Sequence, residues 1–294
     1  MQAALLPDRG VIRVSGEAAR GFLNGLLTAD IGKVTPRSPR FAALLTPQGK
    51  IVADCIVAEA EEGDGGGFFL DCPRALVATL LERLNFYKLR ARVTIENLSD
   101  RLAVMAVWGG NGETEFGLCY PDPRLPALGF RVLLPEHVAP EAVRDLSAEL
   151  VGAQAYDAHR IALGVPRGGM DFMYNDALPH DADMDQLGGV DFDKGCYVGQ
   201  EVVSRVEHRG SARTRVVPVS CADGTPDAGV PVMAGDKTVG VMGSAAGGHG
   251  LASLRLDRVQ DALQDGTPLI AGGIPIRLRQ ADWISFALPE QDAS

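Results

Sequence analysis

The sequence lacks the features that mark secreted, membrane-spanning and disulfide-stabilised proteins. None of its apolar runs approaches the ~18 residues of a membrane span. Its first residues lack a charged start followed by an apolar core. Its five cysteines are odd in number and form no C-x-x-C pair, which disfavours a disulfide framework. These absences predict free thiols and a cytoplasmic protein that does not contact membranes.

Several motifs of known chemistry are also missing. The sequence has no H-E-x-x-H or other metal-ligand spacing, no G-x-S-x-G elbow, no P-loop and no G-x-G-x-x-G after a predicted strand. The cysteines do not have ferredoxin spacing either. We therefore expect no metal to be held by this chain alone.

The chain also lacks an excess of positive charge. Its 294 residues carry a formal net charge of −10. Phosphate-rich partners are bound by dense lysine and arginine surfaces, so this balance disfavours a general affinity for nucleic acid. A hydrophobic content of 46% is ordinary for a folded protein, and the length predicts two domains or three small ones.

The pattern of apolar residues predicts an α+β fold. A pair of strands is expected at 41–58, and a helix is expected to follow Asp71 as its N-cap, with Pro73 in the first turn. The stretch 165–193, rich in Gly, Pro and Asp, is expected to form a long loop that is either functional or disordered. After Gly210 the sequence becomes β-rich, which predicts a separate barrel of roughly 80 residues.

One cysteine, Cys196, lies in a glycine-containing segment rather than in an apolar run. Lys194 precedes it, Gly195 and Gly199 flank it, and an amphipathic helix is predicted to begin near Gly199. The positive end of that helix would favour the thiolate, as would Lys194 and Arg205. Two interpretations stay open: an accessible, polarised thiol, or an inert structural cysteine in a tight turn.

Charged residues elsewhere leave further alternatives open. Asp54 is either on the polar face of its strand or a buried carboxylate that accepts a hydrogen bond from an amine or a pterin-like ring. A basic cluster either binds a carboxylate or phosphate, or forms ion pairs with preceding aspartates. The cluster consists of Arg205, His208, Arg209, Arg213 and Arg215. The aspartates are Asp181, Asp183, Asp185, Asp191 and Asp193.

The octapeptide K-G-C-Y-V-G-Q-E at residues 194–201 strongly resembles a motif of the YgfZ-type folate-binding proteins. These are relatives of the glycine cleavage system T-protein, an aminomethyltransferase. The resemblance continues through LLTPQGKIVADCIV, YKLRARVTIEN and HRIALGVPRGG. It implies an α+β fold of three subdomains in a cloverleaf, with a small C-terminal β-barrel. The implied subdomains are a folate-binding part (1–40 plus 140–209), a ferredoxin-like part (41–139) and the barrel (210–294).

The same resemblance implies a tetrahydrofolate-binding factor that assembles or repairs iron–sulfur clusters, with assembly proteins or client enzymes as partners. The family's essential cysteine corresponds to Cys196, as a reactive thiol or a transient cluster ligand. Lys194 and Asp54 are assigned to catalysis beside it, and Arg205 and Arg209 to the carboxylates of the folate tail. The other residues assigned to cofactor binding are Gly195, Tyr197, Gly199, Gln200 and Glu201.

Two departures from the aminomethyltransferase pattern disfavour aminomethyl transfer. In that branch an R-x-E-x-G glutamate recognises the pterin, and here R-I-A-L-G places Ala162 at its position. The paired acids of G-G-I-x-D-D become Ala53 and Asp54. Losing a pterin-binding carboxylate costs roughly 1–3 kcal/mol. A maturation factor is therefore favoured over an enzyme. The alternatives are a one-carbon transferase that uses Asp54 and a tRNA-modification accessory protein that binds through the basic cluster.

Overall fold

The chain folds into two compact units. The first contains residues 1–156 and 187–200, and the second contains residues 157–186 and 201–294. The computed structural model describes residues 1–60, 63, 66–210, 212–221 and 223–290. The predicted division into three subdomains stays a prediction.

Two five-stranded sheets form the framework of the first unit. Its strands are β1 (Gln2–Leu5), β2 (Arg9–Ser15), β3 (Arg40–Leu45), β4 (Ile51–Ala60), β5 (Gly67–Pro73), β6 (Thr94–Asn97), β7 (Ala103–Trp108), β8 (Leu118–Pro121), β9 (Phe130–Leu134) and β10 (Glu149–Leu150). One sheet has the strand order β10-β1-β7-β9-β8, and the other has the order β3-β4-β5-β2-β6. The predicted strand pair at 41–58 is therefore the β3–β4 hairpin, which confirms the α+β prediction for this segment.

Short helices pack against these sheets. Apolar residues recur at helical spacing in these segments, so each helix has an apolar face. The helices that begin before residue 200 are α1 (Ala19–Asn24), α2 (Val77–Lys88), α3 (Ala139–Asp145) and α4 (Ala153–Leu163). Helix α2 buries Val77, Leu80 and Leu84, which pack in one core with residues of β2 to β5. None of the helices in the described part of the chain combines the length and the apolar character that crossing a membrane requires.

The start of α2 differs from the prediction that Asp71 is its N-cap. Strand β5 continues to Pro73, and Asp71 pairs with Ile56 of β4 and Val11 of β2. The helix begins only at Val77. An aspartate two residues before a proline is typical of a helix start. Here, however, the backbone of Asp71 is already hydrogen-bonded within the sheet.

The side chain of Asp71 instead belongs to a buried ion network in the first unit. Its Oδ1 accepts from Arg9 Nε at 2.6 Å, and its Oδ2 accepts from Arg131 Nη1 at 3.0 Å. Arg131 also lies 3.3 Å from Asp122, which Arg124 contacts at 2.6 Å. Burial alone would raise the pKa of Asp122, but the two arginines hold that pKa well below its usual range. The network therefore stays charged although it is removed from water.

The second unit contains a closed barrel, as the β-rich sequence after Gly210 predicted. This unit also contains the last part of α4, the helix α5 (Gln200–Arg209) except its first residue, and the helix α6 (Leu256–Gln264). Its strands are β11 (Thr214–Ser220), β12 (Pro231–Ala234), β13 (Lys237–Ala246), β14 (His249–Arg255), β15 (Leu269–Ala271) and β16 (Ile274–Leu278). The closed order is β11-β14-β13-β12-β15-β16, around a core of small aliphatic side chains such as Val217, Val232 and Ala252.

Replacing Asp71 by asparagine should destabilise the first unit strongly. Arg9 and Arg131 would keep their buried charges without the carboxylate, and breaking a buried pair costs about 3–5 kcal/mol. Asp100→Asn is the matched control, because Asp100 also accepts from an arginine (Arg74, 2.8 Å) but is 88% exposed. Chemical unfolding followed by circular dichroism measures both. Equal losses for the two variants would contradict the importance of the network.

Candidate functional site

The segment 189–199, here called the motif loop, is held to the first unit by a buried lysine. Lys194 Nζ donates to the backbone carbonyl oxygens of Asn24 (2.7 Å), Leu27 (2.6 Å) and Ala29 (2.8 Å). These three acceptors lie at and just after the end of α1, and they use all three ammonium protons. Lys194 is only 8% exposed. It therefore fastens the loop to the end of the helix, an arrangement that we call the lysine clamp.

Burial and nearby charges shift the pKa values of Lys194 and of the neighbouring Tyr197. Burial lowers the pKa of Lys194 to about 8, while Asp30 and Asp191 oppose this shift. The ammonium lies 5.1 Å from the centre of the Tyr197 ring, a cation–π distance. Burial raises the pKa of Tyr197 to about 12, and the charge of Asp191 adds to the effect. At neutral pH the pair is therefore mainly an ammonium ion beside an un-ionised phenol.

A second set of contacts fixes the beginning of the motif loop. The backbone N–H of Asp191 donates to the carbonyl of Thr28 at 3.0 Å, and its carboxylate accepts from Lys33 Nζ at 2.6 Å. The buried hydroxyl of Thr28 donates to the carbonyl of Gly189 at 2.5 Å. Thr28 and Lys33 were not among the predicted site residues, because a hydroxyl and an amine in an irregular connection leave no periodic signal.

The end of the loop depends on a glycine. Gly199 has φ +83°, and a Cβ built there would lie 2.5 Å from the carbonyl oxygen of Thr46 and 3.0 Å from Leu45 Cβ. Gly195 is different, since a Cβ at that position would meet no atom within 4 Å. Helix α5 begins at Gln200, one residue after the predicted start. Close packing therefore requires glycine at 199 but not at 195.

Cys196 is the exposed thiol of this protein. Among the five cysteines, Cys55, Cys72 and Cys221 are buried and Cys119 is partly buried. Burial raises the pKa of each of these four thiols, to about 12 in the case of Cys72. They are therefore poor nucleophiles and poor metal ligands. Cys196 combines access to solvent with anchored neighbours on both sides, although its reactivity stays a prediction.

Other predicted site residues lie outside the motif loop. Asp54 is buried on β4. Burial would lower the pKa of Arg9, but the charge of Asp71, with a smaller contribution from Asp54, raises it. Arg205 and Arg209 are exposed on α5, and Arg205 pairs with Glu201 at 2.6 Å. Their assigned roles stay predictions.

The basic cluster does not behave as one surface. Arg215 is buried and donates to Asp185 at 2.6 Å, with Asp183 at 3.4 Å, so for this residue the ion-pair alternative holds. Arg209 and His208, by contrast, are exposed.

Two family models match parts of the chain. The model described as "GCVT N-terminal domain" matches residues 8–117, and "CAF17, C-terminal beta-barrel domain" matches residues 213–286. A solved aminomethyltransferase of the glycine cleavage system from Bartonella henselae is similar in structure, with a TM-score of 0.76. The similarity covers 98% of this chain and 88% of that one at 17% identity. The predicted fold, a T-protein-like α+β structure with a C-terminal barrel, is confirmed.

Curated relatives are named iron–sulfur cluster assembly factor IBA57 or its homologue, mitochondrial. The chain is 35% identical to the protein of Coccidioides immitis, over 79% of this chain but only 61% of the relative's length. Identity is 32% with the protein of Pyricularia oryzae, covering 90% and 75% of the two chains. It is 31% with the human protein, covering 88% and 78%.

The names of these relatives contradict one prediction. A cytoplasmic location was predicted from the missing secretory start and the missing apolar span, whereas the relatives are named mitochondrial proteins. The cytoplasmic prediction is therefore wrong. A missing secretory start and a missing apolar span disfavour secretion and membrane insertion, but they do not distinguish one internal compartment from another.

Replacing Gly199 by alanine should destabilise the motif loop, because the methyl group would meet the Thr46 carbonyl at 2.5 Å. Strain at a positive φ adds about 1–3 kcal/mol. Gly195→Ala is the matched control, since the same methyl group enters open space in the same loop. Thermal unfolding and amide hydrogen exchange of the loop would measure the difference. Equal behaviour of the two variants would contradict the packing role of Gly199.

Proposed function

Because the chain belongs to the family of the IBA57 iron–sulfur cluster assembly factors, we propose that it acts in the assembly or repair of iron–sulfur clusters in client enzymes. The observation that carries the proposal for this chain is an exposed Cys196 in a loop anchored on both sides. A thiol that must meet a partner's cluster has to be accessible, yet must not move freely. The motif loop provides both properties.

In this proposal Cys196 is the working thiol, and the cluster is cargo rather than a resident cofactor. Clusters are usually held by four cysteine ligands, whereas the motif loop offers one exposed cysteine. The remaining ligands would come from an assembly protein or a client enzyme. The octapeptide at 194–201 further supports a YgfZ-type relationship within this group. Lys194, with its protons donated to carbonyl oxygens, would position the thiol rather than transfer protons to it.

The test compares cells that lack the protein with cells given the wild type, Cys196→Ala or Cys119→Ala. We expect the wild type and Cys119→Ala to restore iron–sulfur enzyme activities, because Cys119 is a partly buried thiol of raised pKa. Cys196→Ala should restore little activity. Enzymes without clusters serve as the internal reference, and immunoblots establish equal abundance.

Full rescue by Cys196→Ala would reject the thiol role while leaving family membership intact. Failure of the wild type itself to change iron–sulfur enzyme activity would reject the maturation function. The second result would favour the alternative of a one-carbon transferase, for which turnover with tetrahydrofolate is the direct assay.

We extend the proposal to a reduced folate as ligand, supported by the T-protein-like fold. Exposed guanidinium groups at Arg205 and Arg209 suit the carboxylates of a folate tail. The residues proposed for the pterin end fit less well. Ala162 has no side-chain acceptor, and the carboxylate of Asp54 is already in electrostatic range of Arg9. This partial fit supports binding without aminomethyl transfer.

Calorimetric titration can separate the two ends of such a ligand. Replacing Arg205 and Arg209 together by alanine should weaken tetrahydrofolate binding by about tenfold or more, because charge-assisted hydrogen bonds are lost. Tetrahydropteroate, which lacks the glutamate, should bind both proteins equally. Arg258→Ala, an exposed arginine on α6, is the control. Absence of saturable binding to the wild type would reject the folate proposal without affecting the test of Cys196.

A further inference from the structure

The second unit contains a group of acidic side chains around a buried histidine, and the proposed function does not use it. His180 Nε2 lies 3.0 Å from Glu207 Oε2. One ligand atom each from His180, Asp185 and Glu207 lie within 4.8 Å of one another. We propose that these three residues bind a divalent transition-metal ion, which would be a site separate from Cys196 and independent of the proposed function.

The spacing of the three donor atoms suits a single ion. Bonds from zinc to imidazole nitrogen and carboxylate oxygen are about 2.0–2.2 Å long, so neighbouring ligand atoms lie roughly 3–4 Å apart. The distance from His180 to Glu207 is already within that range. Small rotations of the two carboxylates would bring Asp185 to the same spacing. One nitrogen and two oxygen donors suit Zn²⁺, Fe²⁺ or Mn²⁺ better than Ca²⁺ or Mg²⁺, which prefer oxygen alone.

The charges around the group also favour a cation. Arg215 donates to both oxygens of Asp185 at 2.6 and 2.9 Å and lies 3.4 Å from Asp183. One guanidinium therefore faces the carboxylates of Asp183 and Asp185, and the carboxylate of Glu207 contacts His180 instead. With a neutral histidine, the carboxylates of Asp185 and Glu207 together exceed the single guanidinium charge of Arg215 by one negative charge, which attracts a cation.

Asp183 provides a second, independent observation. It is fully buried, and its Oδ2 has no hydrogen-bond partner among the residues that the structure describes. Burying a polar oxygen that lacks a hydrogen-bond partner is costly, and a cation bound beside Asp183 would reduce that cost.

The three donors come from two elements, a loop and a helix, and solvent can reach them. His180 and Asp185 come from the loop that follows α4, where the N–H of Asp183 donates to the carbonyl of His180 at 3.1 Å. Glu207 comes from α5, and its side chain is 45% exposed. Solvent therefore reaches the group from the helix side. A bound ion would tie the loop to α5 within the second unit.

Titration of the full chain with Co²⁺, after treatment with a chelator, tests the site. We expect one equivalent to bind with visible absorption of four- or five-coordinate cobalt, and Zn²⁺ to displace it. Glu207→Gln should weaken Co²⁺ binding at least about tenfold, because a charged ligand is lost. Glu290→Gln, the same change at an exposed glutamate of the second unit, should leave binding unchanged. Circular dichroism establishes that both variants are folded.

Three results would overturn the proposal. The first is the absence of saturable binding, which would leave only the two ion pairs His180–Glu207 and Arg215–Asp185. The second is that Glu207→Gln and Asp185→Asn both bind Co²⁺ with the affinity of the wild type. The third is an ultraviolet thiolate-to-cobalt band that disappears in Cys196→Ala, which would assign the ion to the motif loop instead.

Discussion

The motif loop depends on the buried ammonium group of Lys194, which donates to protein oxygens rather than to solvent. Lys194 gives its three protons to three backbone carbonyls at the end of α1, so a side chain replaces the hydrogen bonds that the helix end would otherwise make to solvent. Arginine could not place three donors on the same points, because its guanidinium is planar and longer. The position of Cys196, two residues on, follows from this arrangement and from the tight packing of Gly199.

The first unit thus contains two different solutions to the burial of charge. The lysine clamp is balanced by backbone dipoles, whereas the ion network around Asp71 and Arg131 is balanced by opposite charges. Buried ion pairs often contribute little net stability, but removing one partner is costly. In both arrangements, a different strand register or loop path would leave a buried charge without its partners.

Local patterns predicted the larger elements and the thiol, but not the long-range partners. The β-rich tail, the apolar face of α2 and the unusual setting of Cys196 are visible over short stretches of sequence. Asp71 was misassigned because a helix cap and a buried ion pair use the same residue, and its partner Arg131 is 60 residues away. The acceptors of Lys194 are backbone oxygens, which any residue supplies. The donors around His180 are separated by irregular chain and match no motif spacing.

The closed barrel has a consequence for how partners can be recognised. Its strands pair in a complete circle, so none of β11 to β16 offers an open edge to a strand from another protein. The two sheets of the first unit are open, and they end in β8 and β10 and in β3 and β6. Among the strands that the structure describes, an extended segment of a client protein could therefore join the hydrogen-bond ladder of a sheet in the first unit but not in the barrel. That unit also carries Cys196, whereas a partner of the barrel has to be recognised through side chains and loops.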